Sequence, residues 1–123
     1  MWPGDLGRYT SHALIFARLK IDENDYSVHP FMVQLRDLQT WKHIKGVKTG
    51  DLGPKFGYNS KDNGWAIFDQ VRIPRVNMMM GLAEVEKDGT FSVKGDMRVL
   101  YSTMMLIRTS IVCDSVNLLY RSL

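Results

Sequence analysis

The apolar residues of this chain change their spacing at Val99, and no other feature constrains the fold as tightly. Before it, they come in short runs or alternate with polar residues. Phe31, Val33 and Leu35 alternate with Met32 and Gln34, the two-residue period of a strand with one face turned inward. Beyond Val99, Leu100, Met104, Ile107 and Ile111 are spaced 4, 3 and 4 apart, which stacks them on one face of a helix. Met105, Val112, Val116 and Leu119 widen that face. The pattern predicts a mainly β chain: an antiparallel sheet or barrel-like domain of about six strands, followed by a helix from about Val99 to Tyr120.

Turn residues divide the β region. Ala13-Leu14-Ile15-Phe16-Ala17 is a continuous apolar run and reads as a strand buried on both faces. The polar stretch from Asp22 to Asp25 joins it to the Phe31–Leu35 strand as an antiparallel pair. Gly46, Gly50, Gly53, Pro54 and Gly57 punctuate the middle of the chain, and Asn59 to Gly64 is polar and turn-rich. Trp65, Ile67, Val71 and Ile73 are expected on one face of a long strand, with Phe68 and Arg72 on the other and Pro74 ending it. Asp88-Gly89, between Ala83-Glu84-Val85 and Phe91-Ser92-Val93, reads as a hairpin whose two turn positions tolerate positive φ. The helix is apolar over more than one face, so it needs a large packing partner.

Composition narrows the function classes. A chain of 123 residues is long enough for one core. With 45% hydrophobic and 24% charged residues, it is not a disordered chain. The net charge of +3 is too small to argue for nucleic acid, and Lys42, His43, Lys45 and Lys48 read as a solvated loop. The single cysteine, Cys113, excludes an internal disulfide and is expected to be a buried small hydrophobe. The N-terminus lacks the charged-then-apolar pattern of a signal peptide. No uninterrupted apolar run approaches the ~18 residues of a membrane span, so none is expected. Arg121-Ser122-Leu123 does not match the Ser-Lys-Leu peroxisomal address.

Read without any family, the residues carry little chemistry. His12, His29 and His43 fall in separate strand or loop contexts, and no Gly-x-Ser-x-Gly elbow is present. No His or Cys spacing suggests a metal site. Gly50 to Gly57 is glycine-rich but lacks the Gly-Lys-Ser/Thr of a phosphate-binding loop, so it reads as a structural turn.

Five motifs taken together say more. They are Trp2-Pro3-Gly4-Asp5-Leu6-Gly7, His29-Pro30-Phe31, Gly50-Asp51-Leu52-Gly53-Pro54-Lys55-Phe56-Gly57, Asp62-Asn63-Gly64-Trp65 and Val71-Arg72-Ile73-Pro74-Arg75. In this order and spacing the chain resembles the middle β-domain of the peroxisomal acyl-CoA oxidases, from about Trp2 to about Val112. Those enzymes are several times longer. The resemblance therefore implies a fragment: residues 1–98 as most of the middle β-domain, and 99–123 as the first helix of a C-terminal helical domain.

The implied parent activity is FAD-dependent oxidation of acyl-CoA by O2 to trans-2-enoyl-CoA and H2O2, in peroxisomal fatty-acid β-oxidation. Acyl-CoA and O2 are then the partners, with a homodimer when full length and no nucleic acid. In the family, the Trp-Pro-Gly segment runs beside the flavin ring, which carries over to Trp2, Pro3 and Gly4 as cofactor-binding residues. Glycine has no Cβ, so a flat ring can approach its main chain, and an amide aimed at the ring can tune its electronics.

This chain departs from the family at Asp5, where a second glycine is common; a carboxylate there disfavours the anionic reduced ring unless it points to solvent. The family's base, a glutamate that removes the α-proton while hydride passes to flavin N5, lies beyond Leu123. No catalytic residue is expected here, neither Glu84 nor Glu86, and the isolated chain is expected to be inactive. An acyl-CoA dehydrogenase that reduces an electron-transfer flavoprotein, or a non-catalytic interaction module, are the alternatives. Gly53 to Gly57 with Asp62-Asn63-Gly64 looks more like the oxidase branch.

Overall fold

The computed structural model describes residues 3–57, 59–96 and 98–122. They form two compact units, Met1–Met79 and Met80–Leu123. The first holds strands β1 (His12–Ile21), β2 (Asn24–Gln34), β3 (Val47–Asp51) and β4 (Gly64–Phe68), with a 3-10 turn at Arg75–Asn77. The second holds β5 (Ala83–Val85), β6 (Phe91–Val93) and the helix α1 (Arg98–Ser122). The strands pair antiparallel as β1-β2, β3-β4 and β5-β6, giving three two-stranded sheets. The mainly β architecture with one terminal helix is as the apolar spacing predicts.

The β1-β2 pair is a long hairpin turning at Asp22, which adopts φ 52°. Its register runs from His12 opposite Gln34 to Arg18 opposite Val28, then slips by one residue before Lys20 pairs with Asp25. Ser27, at φ 71°, takes up the slip, and its amide donates to Asp25 Oδ1 at 2.8 Å. β1 is not buried on both faces as its apolar run suggests. Leu14 and Phe16 are half exposed, while Ala13 and Ile15 are partly buried. Among the described residues β1 pairs with β2 alone, and Leu14 and Phe16 on its outer face stay half exposed. β2 keeps the expected alternation, with Val33 buried and Leu35 just beyond it fully so.

Leu35 is the centre of the first unit's core, with Leu6 and Val47 against it and Ala13, Ile44, Ala66 and Val71 around them. Its main chain is also fixed: its amide donates to Ser11 O at 2.7 Å and its carbonyl accepts from Ile44 N at 3.0 Å. The long strand expected from Trp65 to Ile73 ends instead at Phe68. Asp69 N makes a last bond to Gly46 O at 2.8 Å. Gln70 then takes φ 48° and turns the chain away, so Val71 reaches the core from a loop.

In the second unit the Asp88-Gly89 hairpin forms, but only Gly89 has positive φ, at 90°. Glu86 N donates to Thr90 O at 2.8 Å and Gly89 N to Glu86 O at 3.2 Å. This is the longer hairpin connection, a turn followed by a left-handed glycine, rather than the two-residue one. α1 starts where the Asp96 carboxylate accepts from Arg98 N at 2.9 Å, one of the bonds that satisfy the orphan amides of a helix start.

The side chains described on α1 are exposed apart from Leu100, including Met104, Met105, Leu106, Ile107, Ile111 and Val112. Cys113 is exposed too, against the expectation of burial, because it lies on a helix whose described neighbours on every side are themselves exposed. By length and composition α1 could cross a membrane. A search for unbroken apolar runs missed this because Arg108, Asp114 and Asn117 interrupt the stretch.

An apolar helix left in water drives association, at roughly 25 cal/mol per Å² of apolar area hidden. The chain expressed alone is expected to self-associate and to bind a hydrophobic dye. Sedimentation or light scattering checks this; a dye-silent monomer with a cooperative melt would contradict it.

Candidate functional site

Two of the sequence motifs meet in space. The segment after Pro3 lies antiparallel to Asp62-Asn63-Gly64, joined to it by an isolated bridge at the end of the β3-β4 pair. Gly4 bridges Asn63, Asp5 N donates to Asp62 O at 2.7 Å, and Gly64 N donates to Pro3 O at 3.1 Å. On the other side of the same residues, Leu52 N donates to Asn63 O at 2.9 Å. Asn63 is thus held between the Pro-Gly segment and the end of β3.

Glycines make this approach possible. A Cβ on Gly64 would lie 2.2 Å from Gly7 N and 2.7 Å from Gly7 Cα. No side chain could shift to relieve that, because both are main-chain atoms. A Cβ on Gly50 would lie 2.6 Å from the Trp65 ring, so the indole of β4 lies across the bare backbone of β3. These glycines belong to the motifs singled out in the sequence, and close backbone approach is what requires them.

Pro3 and Gly4 are exposed; Trp2 lies outside the described residues. A Cβ on Gly4 would meet Lys61, with Cε at 2.7 Å and Nζ at 3.2 Å. The space beside Gly4 is therefore covered by the end of a flexible side chain, which can move. Asp5, the departure from the family pattern, has φ 62°. This left-handed conformation suits glycine and is tolerated by aspartate. The Asp5 carboxylate is exposed and pairs with Lys61 Nζ at 3.0 Å, which offsets its charge.

An open cavity of about 670 Å³ adjoins this segment. Asp5, Arg8, Asp51, Lys55, Lys61 and Asp62 contribute its charged lining, and Gly53-Pro54 its wall. The three motifs around residues 4–7, 50–57 and 62–64 thus share one surface. Arg8 pairs with Asp51 at 2.6 Å and donates its amide to Asp62 Oδ2 at 2.9 Å. Asp62 Oδ1 is buried without a hydrogen-bond partner among the described residues, an unusual state for a carboxylate oxygen.

The remaining candidates stay apart. His29 is buried and donates Nε2–H to Tyr26 O at 2.9 Å. His43 Nε2 lies 2.9 Å from Thr49 Oγ1, and His12 is exposed beside Ser11. Lys42, His43, Lys45 and Lys48 are all exposed, as a solvated patch should be. Among the described residues no group of His, Cys, Asp and Glu is arranged to hold a metal ion. Glu84 is engaged in an ion pair with Lys94. Sequence reading missed Arg36, which is buried with its guanidinium among main-chain carbonyls. A lone arginine after an apolar strand gives no signal of that.

No protein-family model matches the chain. Curated proteins and solved structures do. Peroxisomal acyl-coenzyme A oxidase 1 of Arabidopsis thaliana is 43% identical over 126 residues, covering 98% of this chain and 19% of the relative. The Bos taurus protein of the same name is 41% identical over 121 residues, covering 98% and 18%. The structure of Arabidopsis thaliana acyl-CoA oxidase 1 superimposes with a TM-score of 0.87 at 42% identity, over 94% of this chain and 18% of that one. By sequence and by fold, this chain belongs to the acyl-CoA oxidase family.

Acyl-CoA oxidase-2 of Caenorhabditis elegans, solved bound with FAD, ascaroside-CoA and ATP, gives 0.84 at 44% identity over 89% of this chain and 17% of that one. The chain spans about a fifth of the length of the curated relatives it matches. The matched relatives are named as peroxisomal enzymes, in keeping with the implied compartment.

Two outcomes test the geometry. Gly64→Ala forces a methyl into the Gly7 backbone and is expected to destabilise by about 1–3 kcal/mol or more. Gly81→Ala, where an added Cβ meets nothing within 4 Å, should be near neutral. Equal urea midpoints for the two variants would show that residues 7 and 64 do not touch.

The second outcome concerns acid. The Gly53 amide, and after it Arg8, hold the Asp51 carboxyl below its ordinary range. A depressed folded value adds stability that is complete above the unfolded value of about 3.9 and is lost as pH falls through the folded one. Asp51→Asn should flatten the acid limb of the stability–pH curve below about pH 4. An unchanged acid limb would remove Asp51 from the loop's stability.

Proposed function

We propose that this chain is the flavin-side wall of an acyl-CoA oxidase, contributing part of the FAD site and none of the proton-abstracting machinery. The complete enzyme would oxidise acyl-CoA to trans-2-enoyl-CoA, with O2 reduced to H2O2, and would act as a homodimer. Residues 1–98 would belong to its middle β-domain and 99–123 to the first helix of its C-terminal helical domain. The observation that carries the reading is the match to named oxidases over nearly the whole chain, at 41–43% identity. A relative at 44% identity was solved with FAD, ascaroside-CoA and ATP.

The residues fit such a cofactor in one respect. Pro3-Gly4 is an exposed extended segment, bonded along one edge to Asn63-Gly64. A flat ring can approach a glycine main chain presented in this way. When bound, FAD supplies the hydride acceptor; the protein supplies position and electrostatics. In this reading Pro3 and Gly4, with Trp2 beside them, hold the ring through the main chain. Lys61 offsets the Asp5 charge, so a carboxylate at that position does not oppose charge on a reduced ring. The apolar face of α1 would pack inside the helical domain rather than in a bilayer, since the family match extends into it.

The base, the opposite wall of the flavin site and the acyl cavity would come from other parts of the enzyme. The chain alone should therefore show no oxidase activity, even with FAD added. General-base catalysis by itself contributes about 10² to 10⁴, and an unpositioned substrate loses more. A peroxide-coupled assay with a medium-chain and a long-chain acyl-CoA, beside a full-length relative, tests this. Acyl-CoA-dependent peroxide above the free-flavin background would overturn it.

A further inference from the structure

Arg36 is the most unusual buried group in this chain. It is 3% exposed, yet among the described residues no carboxylate faces its guanidinium. Its partners are main-chain carbonyls of one short segment. Nη2 donates to Gly7 O at 2.7 Å and approaches Leu6 O at 3.4 Å. Nη1 donates to Thr10 O and lies 3.5 Å from Leu6 O. The one side-chain partner is Thr49 Oγ1 of β3, 2.6 Å from Nη2. Arg36's own amide donates to Ser11 O at 3.2 Å.

A buried cation is costly unless strong acceptors converge on it. Here residues 6–10 curl so that their carbonyls do. Asp5 O closes the curl from within, accepting from Tyr9 N at 3.1 Å and Thr10 N at 2.9 Å. The segment is thus held from two sides, by Asp62 and Gly64 along its start and by the guanidinium fork inside its turn. Pro3-Gly4, directly upstream, has its direction set by these two anchors.

We propose that Arg36 is a positioning residue for the flavin site: by gathering the carbonyls of Leu6, Gly7 and Thr10, it fixes the path of the Pro3-Gly4 main chain. The inference rests on the reading that Gly4 faces FAD. A lysine cannot replace it, since a single ammonium lacks the planar fork that reaches three carbonyls and a hydroxyl at once.

The experiment uses a full-length oxidase carrying this sequence over the corresponding stretch, and measures FAD affinity, flavin reduction by acyl-CoA and the apo-protein melt. Arg36→Lys should weaken FAD binding and slow flavin reduction by about tenfold or more, the scale of a small misplacement near reacting groups. Thr49→Val, which keeps the arginine and removes one acceptor, should shift both in the same direction by less. Met78→Ala is the control, a buried truncation outside the Leu6–Leu35–Val47 cluster. If it lowers FAD affinity as much as Arg36→Lys at matched loss of stability, Arg36 is merely structural and the inference falls. If Arg36→Lys does not fold, the Thr49→Val result decides alone, and unchanged FAD affinity there sinks the proposal. Gly4→Val separates the two levels. No effect of Gly4→Val on FAD overturns the reading beneath, whereas a loss at Gly4 with none at Arg36 or Thr49 overturns only the positioning role.

Discussion

The close approach of Gly7 and Gly64 is the contact on which the rest of the first unit depends. With a side chain at position 64, the N-terminal segment could not lie against β4, and the bonds from Asp5 to Asp62 and from Gly64 to Pro3 would be lost together. Leu6, which packs on Leu35 and Val47, would then be held only from the Arg36 side. The cavity beside Asp51 and Asp62 would lose one wall. Hydrophobic burial and main-chain pairing are here one constraint, because the residue that fills the core and the residues that pair are consecutive.

Much of this was legible in the sequence, for reasons that can be named. The hairpin at Asp88-Gly89 and the helix from Arg98 are local, written in turn chemistry and apolar period. The motifs around Gly4, Gly53 and Gly64 were visible as glycines, though not as one surface. The close approach that requires them joins positions more than fifty residues apart, and no local pattern carries that information. Asp5 was legible only as a departure from the family pattern; its positive φ is one that glycine adopts without strain.

The misreadings share a cause. The burial of Ala13–Ala17 on both faces, the burial of Cys113 and the strand through Ile73 each follow from apolar character, which reports that a surface needs covering but not what covers it. β1 has one partner strand, α1 presents its apolar residues to solvent, and Val71 reaches the core from a loop after Gln70 has turned the chain. Arg36 is the converse case. A charged residue in sequence reads as surface, and its burial becomes understandable only once a turn of backbone carbonyls is seen around it.

In the first unit, polar groups chiefly serve to hold the main chain in place. The polar groups of the first unit are mostly engaged with one another: Arg8 with Asp51 and Asp62, Lys61 with Asp5, and Arg36 with the carbonyls of residues 6, 7 and 10. Such pairing fixes the main chain in place. What stays available is backbone, above all the exposed Pro3-Gly4 edge, together with the apolar outer faces of β1 and α1. Exposed main chain and exposed apolar side chains are both surfaces that gain by being packed upon.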